Sequence, residues 1–421
     1  MRILVLAIHY WPEPTGIGAV LTRRCEHLAA AGHEVTVCTG MPYYPEWRTH
    51  AAYRGKMWLR EVHNGVNILR SWVWVPAKIN SAKRMILEAS FLTSSLLRAL
   101  GSAKPDLILA VSPPLGLGLN SVLLSRWTKA PFVFDVQDLQ PDAAADLGML
   151  PGPILPILYR LEAMSYRHAA LISTVTEGMR QKIVGKGVPA EKVVVVPPPA
   201  DHSFFAVGKS IDGQAFRVKH NLMGKFVVAH SGNMGVKQGL DLVIDLANRL
   251  RQRHDIRFIL AGDGVMRPHL QARAASLHLE NLHFLPLQDK PDFLQMLAAV
   301  DLALIVQQSS VTDIVFPSKT VTLMSAGRPV AASVSADSEI ARVIRQSHGG
   351  VVTEPEQVEP MANCIEDLVH ASARLAGMGI SARSFASEHW DEERILSSFE
   401  THLLRVAGLA PAVAEESEVA A

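Results

Sequence analysis

Short apolar runs, each followed by a helix-compatible stretch, recur along almost the whole chain, and this alternation limits the fold more than any other feature. ILVLA (Ile3–Ala7), EVTVC, DLILAV, FVFDV, ALIST and KVVVVP form a first series; FVVAHSG, IRFILAGDG, LHFLPL, DLALIV and RPVAAS form a second. Strands joined through helices pair in parallel, since a parallel crossover needs about a dozen residues or more. Strands covered by helices on both faces are apolar throughout, as these are. The reading is an α/β chain with two doubly wound parallel sheets. Pro197, Pro198 and Pro199 stop the first series, and a polar, irregular stretch follows. We therefore predict a first domain over 1–200, a linker over 201–225 and a second domain over 226–390. A helix over 391–406 is expected to pack back across the boundary. The tail, 407–421, ends in APAVAEESEVAA, has no periodic apolar face and is expected to be disordered.

At 421 residues, with 48% hydrophobic and 19% charged residues, the chain can bury two cores. Cys25, Cys38 and Cys364 lack the spacing of a zinc site or disulfide framework and fit a reducing cytoplasm. A strand-like run follows Met1 and Arg2 directly, so no signal peptide is expected. No uncharged stretch is long enough to span a bilayer, so the protein is expected to be soluble or peripheral.

Phosphate chemistry is concentrated in the second series. In AHSGNMGVKQG, Ala229–Gly239, an apolar strand runs into a turn in which Gly232 and Gly235 let backbone amides approach an anion, and Lys237 adds a full charge at a helix start. LAGDG places Asp263 and Gly264 at a second strand end; Asp263 either caps a helix from about Val265 or reaches a ribose or base. FPSKTVTLMSAGRPV places Lys319 at a third. Three such turns on one ligand imply a nucleoside diphosphate. In the first series, HYWPEPTGIGAV sets Gly16 and Gly18 ahead of a helix, where a diphosphate or sugar can come close. Leu21 stands where a dinucleotide fingerprint needs its third glycine, which disfavours hydride transfer. His9 ends the first strand, and Asp138 follows FVFDV where strand carboxyl ends face a ligand, so both are candidate catalytic groups. There is no DxD motif in a useful context, no His/Cys cluster, no Walker sequence and no GxSxG, so no metal or cofactor is expected, and hydrolysis of nucleoside triphosphates or by a serine nucleophile is disfavoured.

Charge is uneven although the net is only +1. Residues 1–200 hold 21 Lys and Arg against 14 Asp and Glu, and ten basic residues fall between Arg48 and Lys104 against Glu61 and Glu88 alone. Trp72, Trp74, Lys78, Lys83 and Arg84 resemble an interfacial anchor for anionic lipid, which Leu147–Tyr159 would extend. The intervening helix, Ile79–Leu100, has enough apolar residues to be largely buried.

With these residues in place, the chain resembles glycosyltransferase family 4, a family of retaining enzymes, and within it the WcaI-like transferases of colanic-acid-type exopolysaccharide synthesis. The resemblance runs from ILVLAIHYWPEPTGIG through AAGHEVTVCTGMPYYPEW, SGNMGVKQGLDLVIDLANRL, FLPLQDKPDFLQML and VFPSK to AGRPV. It implies a GT-B fold of two Rossmann-like domains, with the acceptor mainly on the first, the nucleotide sugar mainly on the second and chemistry between them. Gly16 and Gly18 match the loop facing the donor diphosphate, and Lys237 matches the diphosphate lysine. Asn233 stands where an arginine is usual, so Lys319 is expected to compensate. Of the Glu-x7-Glu signature, Thr322 occupies the second position, and the first falls at Ile314 beside Asp313, which is within reach of donor-sugar hydroxyls. Glu339 resembles the acidic residue after AGRPV, and Asp138 matches the acceptor-loop histidine of many members.

The resulting expectation is a retaining, metal-independent transfer from a nucleoside diphosphate sugar to a polyprenyl-diphosphate-linked saccharide. The partners expected are that donor, that acceptor and the inner membrane surface, with no nucleic acid. The enzyme is expected in the cytoplasm, on the cytoplasmic face of the membrane. A GT-B sugar-nucleotide epimerase and a non-catalytic nucleotide-sugar-binding protein are the alternatives.

Overall fold

The computed structural model describes residues 1–13, 16–44, 46–78, 80–146, 154–310 and 318–409. The chain divides into two compact units, Met1–Pro197 with the chain from Glu393 onward, and Pro198–Glu392.

In the first unit the elements run β1 (Arg2–Leu6), α1 (Gly16–Ala30), β2 (Glu34–Gly40), β3 (Trp58–His63), β4 (Val66–Ser71), α2 (Ser81–Leu100), β5 (Leu107–Ser112) and α3 (Leu117–Thr128). They continue with β6 (Phe132–Val136), α4 (Gln140–Asp146), α5 (Leu155–His168), β7 (Leu171–Thr174), α6 (Glu177–Gly185) and β8 (Val193–Val195). The sheet order is β3-β4-β2-β1-β5-β6-β7-β8, parallel except for the β3–β4 pair. Val5 aligns with Val37 on one side and Leu109 on the other, all buried. Order reverses between β1 and β5, which opens a crevice at their carboxyl ends.

β3 and β4 interrupt the expected alternation. Their apolar content is low because β3 is an edge strand with alternating exposure, and the signal for them is the Asn64-Gly65 pair, whose φ angles of 45° and 80° make the hairpin turn. α2 buries only the stripe Leu87, Phe91, Ser95 and Ala99 and is not largely buried as expected. One helix face suffices to cover this part of the sheet, and the other carries exposed Met85, Ile86, Leu97 and Leu100.

In the second unit the order is α7 (Gln214–Lys219), β9 (Phe226–Ser231), α8 (Asp241–Arg249), β10 (Ile256–Ala261), α9 (Arg267–Ser276), β11 (Leu282–Leu285) and α10 (Lys290–Ala299). β12 (Leu302–Val306), α11 (Ser318–Ser325), β13 (Val330–Ser333), α12 (Glu339–Ser347), β14 (Gly350–Thr353), α13 (Val358–Val369) and α14 (Ser372–His389) follow. The sheet is β11-β10-β9-β12-β13-β14, all parallel, with its reversal between β9 and β12. Val228, Phe258 and Leu304 sit in the core beneath α8, and full burial of each such side chain contributes about 1.5–3 kcal/mol.

Residues 201–225 are not a bare connection. Phe216 and Leu222 are buried, α7 packs on α10, and the segment belongs to the second unit, whose boundary falls after Pro197. The last helix, α15 (Glu392–Val406), joins the first unit: Glu400 receives His27 Nε2 at 3.2 Å and His33 Nε2 at 2.9 Å, and Phe399 lies under the Arg24 guanidinium. Residues 410–421 lie outside the described residues.

Candidate functional site

At the reversal point of the second sheet, β9 and β10 end in turns that lie on one another. Gly232 N–H donates to Ala261 O, Met234 N–H to Asp263 O and Met266 N–H to Met234 O. This contact tolerates no side chain: a Cβ on Gly262 would stand 2.0 Å from Gly232 O, and one on Gly264 2.5 Å from Met234 O, with φ of 134° and 152°. Glycine here permits backbone stacking as well as ligand approach.

Lys319, in the first turn of α11, brings its Nζ to this point, 3.5 Å from where a Cβ on Gly232 would stand. It also lies 3.3 Å from Nε2 of His230, a fully buried residue of β9 whose Nδ1 is 3.3 Å from Leu304 O. The Leu304 carbonyl requires a proton on Nδ1, so Nε2 accepts from the lysine. Burial, reinforced by Lys319, holds the His230 imidazolium well below its ordinary range, and burial brings the Lys319 ammonium down to about 8. The result is a desolvated cation whose protein partner is a neutral ring. Its most effective stabiliser is an anion.

In the first unit, His9 Nδ1 lies 2.6 Å from Glu13 Oε2, and the other carboxylate oxygen accepts the amides of Tyr43 and Tyr44 at 3.1 and 3.0 Å. The His9 ring is flanked by those two tyrosines, with centroids at 5.3 and 5.6 Å. Glu13 is buried although it sits in the loop after β1. Buried Arg70 of β4 fixes the same loop by donating to Trp11 O, Gly40 O and Glu61. A positioned histidine–carboxylate pair at a strand end can hold and move a proton.

Residues 15–199 match the family described as Glycosyl transferase 4-like domain, and residues 225–371 match Glycosyl transferases group 1. WcaI of Escherichia coli strain K12, assigned as a colanic acid biosynthesis glycosyl transferase, is 32% identical over 407 residues, spanning 95% of this chain and 98% of the relative. The chain belongs to glycosyltransferase family 4. A GDP-mannose-dependent alpha-mannosyltransferase of Mycobacterium tuberculosis is 25% identical across 65% of each chain. Anabaena Alr3699/HepE in complex with UDP-glucose superposes on this transferase with a TM-score of 0.72 at 19% identity, over 96% of this chain and 100% of that one. These likenesses carry the GT-B fold expected above.

The transferase places its predicted residues in distinct settings. Gly232, Asn233, Asp263, Gly264 and Lys319 meet at the β9–β10 ends, and Thr322 lies one turn beyond Lys319 on α11. Lys237 lies in a single 3-10 turn, Val236–Gln238, ahead of α8 and not on a helix; its carbonyl accepts from Gln308 N–H and ties the turn to the end of β12. Asp263 does not cap a helix at Val265: its Oδ1 accepts from the Gly264 amide, and α9 begins at Arg267. Glu339 opens α12 and is engaged by Arg342.

Gly16 and Gly18 begin α1 and do not precede it. Gly16, at φ 68°, has open space around its missing Cβ, whereas a Cβ on Gly18 would stand 3.5 Å from Glu13 Oε2. Gly16 therefore offers an approachable helix start, and Gly18 makes room for the His9 partner. Asp138 is half-buried after β6, with its carbonyl accepting the Gln140 amide. Asp313 and most of Leu147–Tyr159 lie outside the described residues.

Trp72 is exposed, Trp74 half-buried, Lys78 exposed, and Lys83 and Arg84 open α2, Arg84 pairing with Glu88 at 3.0 Å. Among the described residues, no helix is long and apolar enough to cross a membrane, and no group of three or more His, Cys, Asp or Glu could hold a metal ion. His230 and Glu13 were not singled out from sequence. The only hint for each was adjacency to a recognised motif, AHSGN for one and HYWPEPTG for the other.

Proposed function

We propose that this transferase moves a glycosyl unit, with retention of anomeric configuration, from a nucleoside diphosphate sugar to a lipid-linked saccharide in exopolysaccharide synthesis, as the colanic acid assignment of its Escherichia coli relative suggests. The observation that carries the donor reading is Lys319: an ammonium aimed at the Gly232 turn whose partner among the described residues is a neutral imidazole. A diphosphate at the turn supplies the missing negative charge. As the sugar–oxygen bond lengthens, charge grows on the leaving phosphate, and Lys319, Lys237 and the turn amides stabilise it most at that moment. Lysines supply the neutralisation in this reading, so neither metal nor cofactor is needed. In the first unit, His9 with Glu13, and Asp138, orient the acceptor hydroxyl, whose proton leaves to the departing diphosphate.

Thermal-shift titration with UDP, GDP and other nucleoside diphosphates identifies the base, and the matching donor is then assayed. Lys319→Ala should lower kcat/KM by about 100-fold or more while the protein stays folded. Parental turnover in both Lys319→Ala and Lys237→Ala rules the donor assignment out. An inverted anomer in the product, read by NMR coupling constants, rules out retention.

Peripheral binding to the cytoplasmic membrane face belongs to the same proposal. Beside the basic start of α2 lie exposed Met85 and Ile86, and the adjacent helix α3 exposes Leu119, Leu123 and Trp127, the last 75% accessible. Apolar side chains with flanking lysines suit anionic lipid. Flotation with anionic vesicles should be lost on neutralising Lys78, Lys83 and Arg84; a parent protein that does not float ends the membrane proposal.

A further inference from the structure

A cavity of about 840 Å3 opens in the second unit beside Asp301 and Pro329, which precede β12 and β13. It therefore lies at the amino ends of the strands, whereas Lys319 and the glycine turns lie at their carboxyl ends. Lys209, Arg328 and Arg383 line it. Nη2 of Arg328 and Nη2 of Arg383 lie 3.0 and 3.9 Å from the single point where a Cβ on Gly208 would stand. The two guanidinium groups thus converge.

Their hydrogen-bond partners are neutral. Arg328 donates to Ala326 O and Val300 O, and Arg383 to Val207 O and Ala326 O. Nε of Arg383 is buried and, among the described residues, has no hydrogen-bond partner. Two acids line the cavity: Oδ2 of Asp301 already accepts from Arg217 at 2.7 Å and from the Val227 amide at 2.8 Å, and Glu388 is exposed at the rim, with Arg328 and Arg383 bonded to backbone carbonyls instead. Burial, and after it the approach of Arg383, holds the Arg328 guanidinium below its ordinary range. Capping the carbonyl end of α11 explains one bond from each arginine. It does not explain why two cations are brought together over open space.

We propose that this cavity binds a phosphate-bearing anion, with Arg328, Arg383 and Lys209 as its cationic wall and the hydroxyls of Ser372, Ser384 and Ser387 as further donors. The site is separate from the donor site. Lys319 is the second residue of α11 and Arg328 follows the helix end, so the six helical residues Thr320–Ser325, about 9 Å of helix, lie between them. An anion held here engages the same two guanidinium groups whose bonds to Ala326 O close the end of the helix presenting Lys319 to the donor.

Calorimetry on the full chain tests this. The probes are a nucleoside diphosphate alone, then inorganic phosphate and a sugar 1-phosphate added to protein saturated with that nucleotide. A stoichiometry of two for the nucleotide, or phosphate heat persisting on the saturated protein, is the expected result, and the arm that responds identifies the source of the phosphate. Lys209→Gln, an exposed change that leaves the fold intact, and Arg383→Gln should each weaken this second event about tenfold. Lys319→Ala should weaken only the first. One nucleotide site with no phosphate or sugar-phosphate heat overturns the proposal, as does second-site binding unchanged in both Lys209→Gln and Arg383→Gln. Failure of the donor reading would register in the first event alone.

Discussion

Nζ of Lys319 lies 3.3 Å from Nε2 of His230, joining the first turn of α11 to the end of β9. The pair is unusual in that neither member neutralises the other. His230 is bound through Nδ1 to Leu304 O and stays neutral, so it orients the lysine without cancelling its charge.

This arrangement sets a pH dependence. Free Lys319 titrates near 8, and a bound diphosphate raises that value toward or beyond the ordinary lysine range. Nucleotide affinity should therefore fall as pH rises through about 8, and binding above that pH should take up a proton. Calorimetry in two buffers of different ionisation heat reads the uptake; affinity flat from about pH 7 to 10 speaks against the role given to Lys319.

The same group has the opposite sign in stability. Its folded value is depressed below the unfolded one, so between about 8 and 10.5 the unfolded chain binds more protons, and this group's contribution to stability rises with pH. Lys319→Met removes the partly buried charge. It should raise the thermal midpoint of the unliganded protein while abolishing transfer, a separation that a merely structural lysine would not give.

Backbone contact at the glycine turns gives a second prediction. Gly262→Ala forces a methyl against Gly232 O at a φ of 134° and should cost at least about 3 kcal/mol, together with nucleotide binding. Gly16→Ala meets only its φ of 68° in open space and should cost about 1–2 kcal/mol. Urea unfolding of both variants checks the order, and equal losses would remove the special status of the β9–β10 contact.

Much of this was legible because apolar strand runs and glycine turns are local signals. The strands around Val5, Val133, Val228 and Leu304 and the turn at Gly232 follow from short windows. Less legible were features built by distant residues. Glu13 reads as a loop acid beside two prolines; only the amides of Tyr43 and Tyr44, some thirty positions away, bury it. His230 reads as one polar residue at a strand end, and its meaning depends on Lys319, 89 positions later. Phe216 and Leu222 are too few to mark a segment as packed until α10 covers α7.

The His9–Glu13 pair carries the acceptor prediction. Glu13→Gln removes the charge that orients His9, and His9→Ala removes the ring; each should reduce transfer by about 10–100-fold while nucleotide binding, which the proposal centres on Lys319 and the Gly232 turn, stays unchanged. Because the two act as one device, the double variant should be little worse than either single one. Strict additivity in the cycle, or parental transfer in His9→Ala, would show that the pair only supports the loop.

Arg24 and Asp135, the acid inside FVFDV, form an ion pair in the core of the first unit. Both are essentially inaccessible, 2% and 1% exposed, and are joined at 3.0 Å; Asp135 also accepts from Ser173 Oγ and Gln137 Nε2, while Arg24 donates to Val196 O and covers the Phe399 ring of α15. A carboxylate so committed has no lone pair directed at a substrate. Arg24→Met should destabilise the first unit by about 3–5 kcal/mol, because it strands a buried charge, and should loosen α15, read as faster amide exchange over Glu392–Val406. Adding Asp135→Leu should recover part of the loss, since the double variant leaves no unpaired ion. If the double variant is worse than Arg24→Met, Asp135 stabilises the sheet through Ser173 and Gln137 more than through Arg24.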